Sequence, residues 1–362
     1  LEKIQVPTLP SIFGAMLAGV DYILMGAGIP RAIPGILDRL SEGSAVELAI
    51  YVEGADRSEK HATRFDPVAF CGGQIPWLER PKFLAIISSA TLATMLARKA
   101  SGHVDGFIVE GPTAGGHNAP PRGPLQLNEQ GEPIYGQRDV ANLTAIAALG
   151  RPFWLAGSYG DPERVVEALA AGATGVQVGT AFAYCNESGL PENVRLPVIE
   201  MSRAGSLSVK TDPVASPTGF PFKVVDLPGS LSEEATYQDR HRVCDLGYLR
   251  SAYKKEDGSL GWRCGAEPSD AFVSKGGKQE NTVGKKCVCN GLIANIDLGQ
   301  VRRKTEVEKP LVTSGDDVQY IARFLPSADA ACYSAEDVVA YLLSAVETST
   351  ISAVETDTVA AT

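Results

Sequence analysis

Leu155-Ala-Gly-Ser-Tyr-Gly-Asp-Pro-Glu-Arg-Val-Val-Glu-Ala-Leu-Ala-Ala-Gly-Ala-Thr-Gly-Val-Gln-Val-Gly-Thr180 is the stretch on which the fold turns. An apolar run from Pro152 to Ala156 reads as a strand and breaks at Gly157-Ser-Tyr-Gly160. Pro162 to Ala171 then has helical spacing, with Asp161 at the N-cap, Pro162 at the first helical position and Gly172 just past the end. Gly175 to Gly179 is a second strand, and it too ends on a small turn, Gly179-Thr180. Both turns can offer bare backbone N–H groups, and two such nests one unit apart suit a phosphate. Glycines that merely turn the chain are the plainer alternative. The same pattern at both strand ends favours the phosphate.

Working outward, Tyr22–Gly28, Lys82–Ser89 and Gly106–Glu110 are further apolar strands, and Ala90–Lys99 and Asp139–Leu149 have helical spacing. Near-continuous apolar strands that alternate with helices imply an α/β protein with a parallel sheet covered on both faces. Function then belongs at the C-terminal strand ends, in a closed barrel and in an open sheet alike. Val46–Glu53 with Phe65–Phe70 is an excursion of hairpin type. Residues 201–290 change character: they are rich in Gly, Ser, Pro and Lys, with weak periodicity. Asp316–Phe324 and Ala335–Ser344 read as closing helices, and 347–362 as a disordered tail.

The 362 residues carry a net charge of −10, which gives no general attraction for nucleic acid or anionic membrane. The longest uncharged apolar stretch, Phe83–Ala97, is too short to span a bilayer. No signal peptide opens the chain, and a first residue Leu1 suggests a fragment of something longer. Seven cysteines, an odd number in a long chain, point to unpaired thiols and a reducing cytoplasm.

Ala114-Gly-Gly-His117 follows the Gly106–Glu110 strand directly. Two glycines admit a flat ligand to the backbone, and imidazole exchanges a proton near neutrality. His117 is therefore the candidate acid–base group, whereas His61, His103 and His241 read as packing or surface residues. Arg122 and Arg138 are surface or site-rim arginines, and Tyr135 and Trp154 core or pocket wall. Cys71 and Cys185 read as packing. Cys244, Cys264, Cys287 and Cys289 raise a zinc site, but no C-x-x-C pair is present, so they stay buried or free thiols and no metal ligand is assigned.

The ordered set Ala114-Gly-Gly-His117, Ala156-Gly157-Ser158 and Gly175-Val-Gln-Val-Gly-Thr180 resembles the nitronate monooxygenase (2-nitropropane dioxygenase) family, related to the FMN-dependent enoyl-ACP reductases. The likeness runs from about Tyr22 to Glu187 and continues loosely beyond. It implies a TIM (β/α)8 barrel with FMN at its C-terminal mouth and His117 as the base on a carbon acid. Ala114, Gly115, Gly116 and Ala156 would line the flavin, and Gly157, Ser158, Gly179 and Thr180 would hold its phosphate. By this alignment Tyr22–Gly28 is about the fourth strand, so the barrel lacks its first strands in this chain. Residues 1–200 become the FMN-binding barrel portion, 201–300 a Cys/Gly-containing insert or lid, and 301–346 the closing helices.

The activity implied is oxidation of alkyl nitronates or nitroalkanes with oxygen. The alternatives are an NAD(P)H enoyl-thioester or quinone reductase, a non-redox isomerase that binds a phosphorylated ligand, and an inactive partner module. The partners are then a small-molecule substrate with oxygen or NAD(P)H, and the reading admits a homo-oligomer. Ser88-Ser89, where the family often has a basic residue, and Asn118–Gly123 bear on the substrate rather than on the flavin.

Overall fold

The computed structural model describes residues 7–346 except Ala27, Arg57 and Lys304, so the expected tail at 347–362 lies outside the described residues. The chain divides into two units: residues 1–108, 141–152 and 242–289 form the first, and 109–140, 153–241 and 290–362 the second.

In the first unit β1 (Tyr22–Met25) pairs in parallel with β2 (Lys82–Ile87), Tyr22 opposite Lys82 and Met25 opposite Ala85. Asp105 N donates to Phe83 O at 2.9 Å, which sets β3 (Gly106–Glu110) beside β2. Both faces of β3 are covered, hence its unbroken apolar run Gly106-Phe-Ile-Val109. A polar clamp ties these elements together. Arg80 reaches Asp38 at 2.5 Å, Asp105 at 2.8 Å and the His103 carbonyl at 2.7 Å. The same Asp105 carboxylate accepts from Phe83 N at 2.8 Å.

Helix Ala90–Lys99 starts where Ser89 Oγ accepts from Leu92 N at 3.2 Å. A hairpin is present with a different second strand: Val46–Ala49 runs antiparallel to Ala62–Phe65, whereas Pro67–Phe70, expected within it, is a short helix capped by Asp66. The helical expectation for 139–149 shrinks to a 3-10 turn, Gln137–Asp139, and a helix Leu143–Ala147 begun by the Asn142 cap. Three residues separate the turn from the helix proper, and Gly150 at φ +67° turns the chain away.

In the second unit Gly111 N, just past β3, donates to Ala156 O of β4 (Phe153–Ala156) at 3.1 Å. Strand β4 pairs in parallel with β5 (Gly175–Gln177), Trp154 opposite Gly175 and Ala156 opposite Gln177. The helix between them, Pro162–Ala170, has the Asp161 cap and ends as expected at Gly172, φ +84°. Gly172 N bonds Leu169 O and Ala173 N bonds Ala168 O, a Schellman closure. A β-hairpin follows, β6 (Val209–Asp212) antiparallel to β7 (Phe222–Val225).

Asp316–Phe324 is a 3-10 helix rather than an α-helix. Its buried residues Val318, Ile321 and Phe324 recur every three positions, which aligns them on a three-residue turn. They pack into the unit's core with Tyr184, Val198 and Tyr333. Residues 335–346 form the second closing helix. Among the described residues no helix is long and apolar enough to cross a membrane.

The clamp makes Asp105 a weak point of the first unit, since Arg80 and Phe83 N both depend on it. Asp105→Ala leaves Phe83 N and part of Arg80 without an acceptor, and about 2–3 kcal/mol of stability is expected to go. Urea unfolding of the variant checks this; an unchanged midpoint contradicts the clamp.

Candidate functional site

Every residue singled out around Ala114-Gly-Gly-His117 and the two glycine turns lies in the second unit. The 111–118 loop leaves the sheet and its backbone is bonded by distant segments. Gly116 N donates to Thr313 Oγ1 at 2.9 Å, and Lys223 N donates to Gly116 O at 2.9 Å. Asn118 N donates to Pro221 O at 2.9 Å, and Asp316 N to Thr113 O at 3.0 Å. His117 thus forms a bridge with Phe222 of β7, at the edge of the hairpin.

The His117 ring is half-buried and stands 4.8 Å, centroid to centroid, from the Phe222 ring. Its Nε2 hydrogen-bonds Ser216 Oγ at 2.6 Å, and Ser216, 0% exposed, bonds on to Thr218 Oγ1 at 2.8 Å. Burial drives the imidazole down to about 4, so at pH 7 it is neutral and able to accept a proton. At the end of β3, burial pushes the Glu110 carboxyl up to about 7.

The two expected phosphate turns have distinct geometry. Gly157 sits at φ +100° and Ser158 at φ +57°, left-handed backbone that is costly for a serine. The Ser158 hydroxyl and Gln177 Oε1, at the end of β5, are buried and have no hydrogen-bond partner. The space above Gly179 is open. Thr180 Oγ1 accepts from Gly315 N at 3.0 Å.

The loops also meet one another. A methyl group on Gly157 would lie 2.9 Å from Thr113 Oγ1 and 3.1 Å from Ala114 N. One on Gly115 would lie 2.8 Å from the Ser314 carbonyl carbon, so the Ser314–Gly315 backbone keeps Gly115 bare. The structure therefore brings Ala114–Gly116, Gly157 and Thr180 around the 313–316 segment, with Ser216 and β7 behind His117.

Ser158 also lines a cleft of about 430 Å³ with Asp161, Arg164, Asp316, Asp317 and Arg323. Its charges are largely compensated. Asp161 pairs with Arg323 at 2.9 Å, and Asp316 pairs with Lys223 Nζ, which also reaches Thr211 Oγ1 at 2.7 Å. Burial raises the Asp317 carboxyl above its usual range, opposed by the Thr180 hydroxyl.

The other residues considered take lesser places. Arg122 is exposed, takes Asp139 Oδ1 on its backbone N–H and donates to Arg138 O. Tyr135 OH donates to Ala119 O at 3.0 Å. Trp154 is a wall, its indole 3.2 Å from a methyl group built on Gly175. His61 lies by Glu59 and His103 by Asp105. Cys185 is buried in the core, and none of the seven cysteines is in a disulfide.

Four contributors were not singled out from sequence: Ser216, Lys223, Thr313 and Glu110. A lysine inside the apolar Pro221-Phe-Lys-Val-Val225 was the legible signal, since a lysine only 3% exposed requires an anionic partner. Ser216 and Thr313 carry no signal of their own.

A family model described as nitronate monooxygenase matches residues 75–211. Over that segment the chain is similar to the nitronate monooxygenase family. Over 134 residues the chain is 29% identical to a probable nitronate monooxygenase of Staphylococcus haemolyticus, covering 37% of this chain and 36% of that protein. Over 124 residues it is 30% identical to a (3aS,4S,5R,7aS)-5-hydroxy-7a-methyl-1-oxo-octahydro-1H-indene-4-carboxyl-CoA dehydrogenase of Mycobacterium tuberculosis, covering 34% of this chain and 32% of that protein. The match thus spans about a third of the length of these curated relatives.

The enoyl reductase domain of MlnA from the macrolactin biosynthesis cluster of Bacillus amyloliquefaciens has a similar fold. Its TM-score is 0.52 at 11% identity, over 98% of this chain and 82% of that one. The nitronate monooxygenase segment contains His117 and both glycine turns, whereas Ser216, Lys223 and the 313–317 stretch lie beyond it.

The depressed imidazole has a definite pH signature. An unfolded histidine titrates near 6.5 and this one near 4, so the unfolded state binds the extra proton between those values. The stabilisation from neutral His117 is complete above about pH 6.5 and is lost as pH falls towards 4. An NMR titration of the His117 ring is expected to show a midpoint near 4; a midpoint near 6.5 contradicts the burial argument.

Proposed function

We propose that the chain is the working part of an FMN-dependent oxidoreductase of nitronate monooxygenase type, in which His117 takes a proton from the carbon next to a nitro group. The observation that carries this is a neutral, half-buried imidazole in a loop whose Thr113 and Ala114 meet the left-handed Gly157-Ser158 turn, where the serine hydroxyl is buried and unpartnered. The residues fit the cofactor. Gly157, Ser158, Gly179 and Thr180 would hold the phosphate, with the unmatched Ser158 hydroxyl and the open space over Gly179 as the fit. Ala114, Gly115, Gly116 and Ala156 would form the wall on the ring side. A flavin held there would supply the redox chemistry, as an acceptor for the carbanion's electrons with oxygen as the final oxidant.

The protein's own contribution is positional. Ser216 holds Nε2 and leaves Nδ1 as the atom that can take the substrate proton. The Phe222 ring and the 209–225 hairpin keep water from the imidazole. On this reading the five parallel strands are part of a (β/α)8 barrel, residues 1–200 carry the flavin-binding portion, and part of 201–300 covers the site. The chain works in the cytoplasm on a small-molecule substrate.

A second reading keeps the flavin and reduces an unsaturated thioester with NAD(P)H. It draws on the Mycobacterium tuberculosis relative, whose name gives a carboxyl-CoA substrate.

Mixing the FMN-loaded protein with alkyl nitronate under nitrogen tests the first reading. Bleaching of the flavin band is expected, with His117→Ala slowing reaction of the neutral nitroalkane by about 100-fold or more and sparing the preformed nitronate. Bleaching by NADPH alone, with no response to nitronate, contradicts this reading and favours the second.

A further inference from the structure

Away from His117, a gathering of reactive side chains lies in the first unit, in the 242–289 segment. Strand Ser251–Lys254 runs antiparallel to Leu260–Arg263, with Ser251 opposite Arg263. The residues just outside that pair, Arg250 and Cys264, therefore flank the open end of the same hairpin. Arg250 folds back on Cys244: its Nε donates to Cys244 Sγ at 3.3 Å and its Nη2 to the Cys244 carbonyl. Cys264 follows Arg263 on the strand opposite, so the hairpin end that carries Arg250 and its Cys244 contact also carries Cys264, and the two thiols act on one another electrostatically.

The two sulfurs differ in kind. Cys244 is partly exposed, whereas Cys264 is buried, with its backbone N–H on Glu267 Oε1 at 3.1 Å. The neighbouring Cys264 thiol and the Arg250 guanidinium favour the Cys244 thiolate and pull its thiol below the usual range, against the cost of burial. The neighbouring Cys244 sulfur, together with burial, holds Cys264 as a thiol. Cys289, nearby, is pushed up to about 12 by burial.

We propose that Cys244 is a peroxide-reacting thiolate and Cys264 its resolving thiol, so that the pair is a site of reversible disulfide formation. The Cys244 sulfur attacks one oxygen of hydrogen peroxide: an S–O bond forms, the O–O bond breaks and hydroxide leaves. Sulfur is oxidised by two electrons and the peroxide is reduced. The Cys264 sulfur then displaces the hydroxyl: the S–S bond forms, the S–O bond breaks, and the Cys264 proton leaves with the hydroxide as water. The hairpin end that sets Cys264 opposite Arg250, the residue that holds Cys244, favours this second step, and a thiol reductant reverses the sequence.

Among the described residues no group of three or more His, Cys, Asp or Glu side chains is arranged to hold a metal ion. Metal capture by the neighbouring thiols is one of the outcomes the experiment separates. The native full chain is treated with one equivalent of hydrogen peroxide, alkylated, digested and mapped by mass spectrometry. A Cys244–Cys264 linked peptide is expected, with two of the seven thiols lost and Cys71 still alkylated. Cys244→Ser should abolish the link while Cys264 remains a thiol, and Arg250→Met should slow peroxide consumption by about tenfold.

Three results overturn the proposal. Cys244 that stays fully alkylatable under peroxide that oxidises Cys71 is not the reacting thiol. A link from Cys244 to Cys289 instead displaces Cys264 as partner. Thiols that are shielded until a chelator removes one equivalent of zinc make the cluster a metal site.

Discussion

A loop that leaves a parallel sheet takes its backbone N–H and C=O groups away from their strand partners, and burial requires new ones. Residues 111–118 meet that constraint with partners from two distant stretches. Pro221 and Lys223 lie about a hundred positions downstream, and Thr313 and Asp316 about two hundred. The position of His117 is a consequence of this arrangement. Its neighbours on either side, Gly116 and Asn118, are both bonded to the β7 region, so the imidazole between them faces Ser216 and Phe222. The left-handed Gly116, at φ +75°, allows the chain to make that turn.

The same packing explains the glycines differently from a ligand-only account. Gly115 is bare because the Ser314–Gly315 backbone lies against it, and Gly157 because Thr113 and Ala114 do. Gly179 is bare over open space. Loop-to-loop packing and ligand access thus divide the glycines between them. Among the described residues, Ser158 alone combines strain with an unsatisfied group: a non-glycine residue at φ +57° with an unmatched hydroxyl.

Much of this was legible in the sequence, because the signals were local. The Asp161 cap, the Gly172 closure and the strands at Lys82, Gly106, Phe153 and Gly175 are set by residues within a turn or two of one another. The 3-10 geometry of Asp316–Phe324 was readable only in hindsight, from the three-residue recurrence of Val318, Ile321 and Phe324. The partners of the site were not readable. Ser216 and Thr313 are ordinary hydroxyl residues whose roles depend on contacts 99 and 197 positions away. Nor did the spacing of Cys244 and Cys264 announce their proximity, because the hairpin that brings the second towards the first lies between them.

The central claim is that the turns at Gly157-Ser158 and Gly179-Thr180 recognise a phosphate. Titrating the protein with FMN and, separately, with riboflavin by quenching of flavin fluorescence tests it most directly, since the two ligands share the ring and differ in the phosphate. The account predicts FMN binding at least about 100-fold tighter than riboflavin, as several backbone N–H groups and one hydroxyl bonding a dianion require. Equal affinity for the two flavins, or no uptake of either, contradicts it.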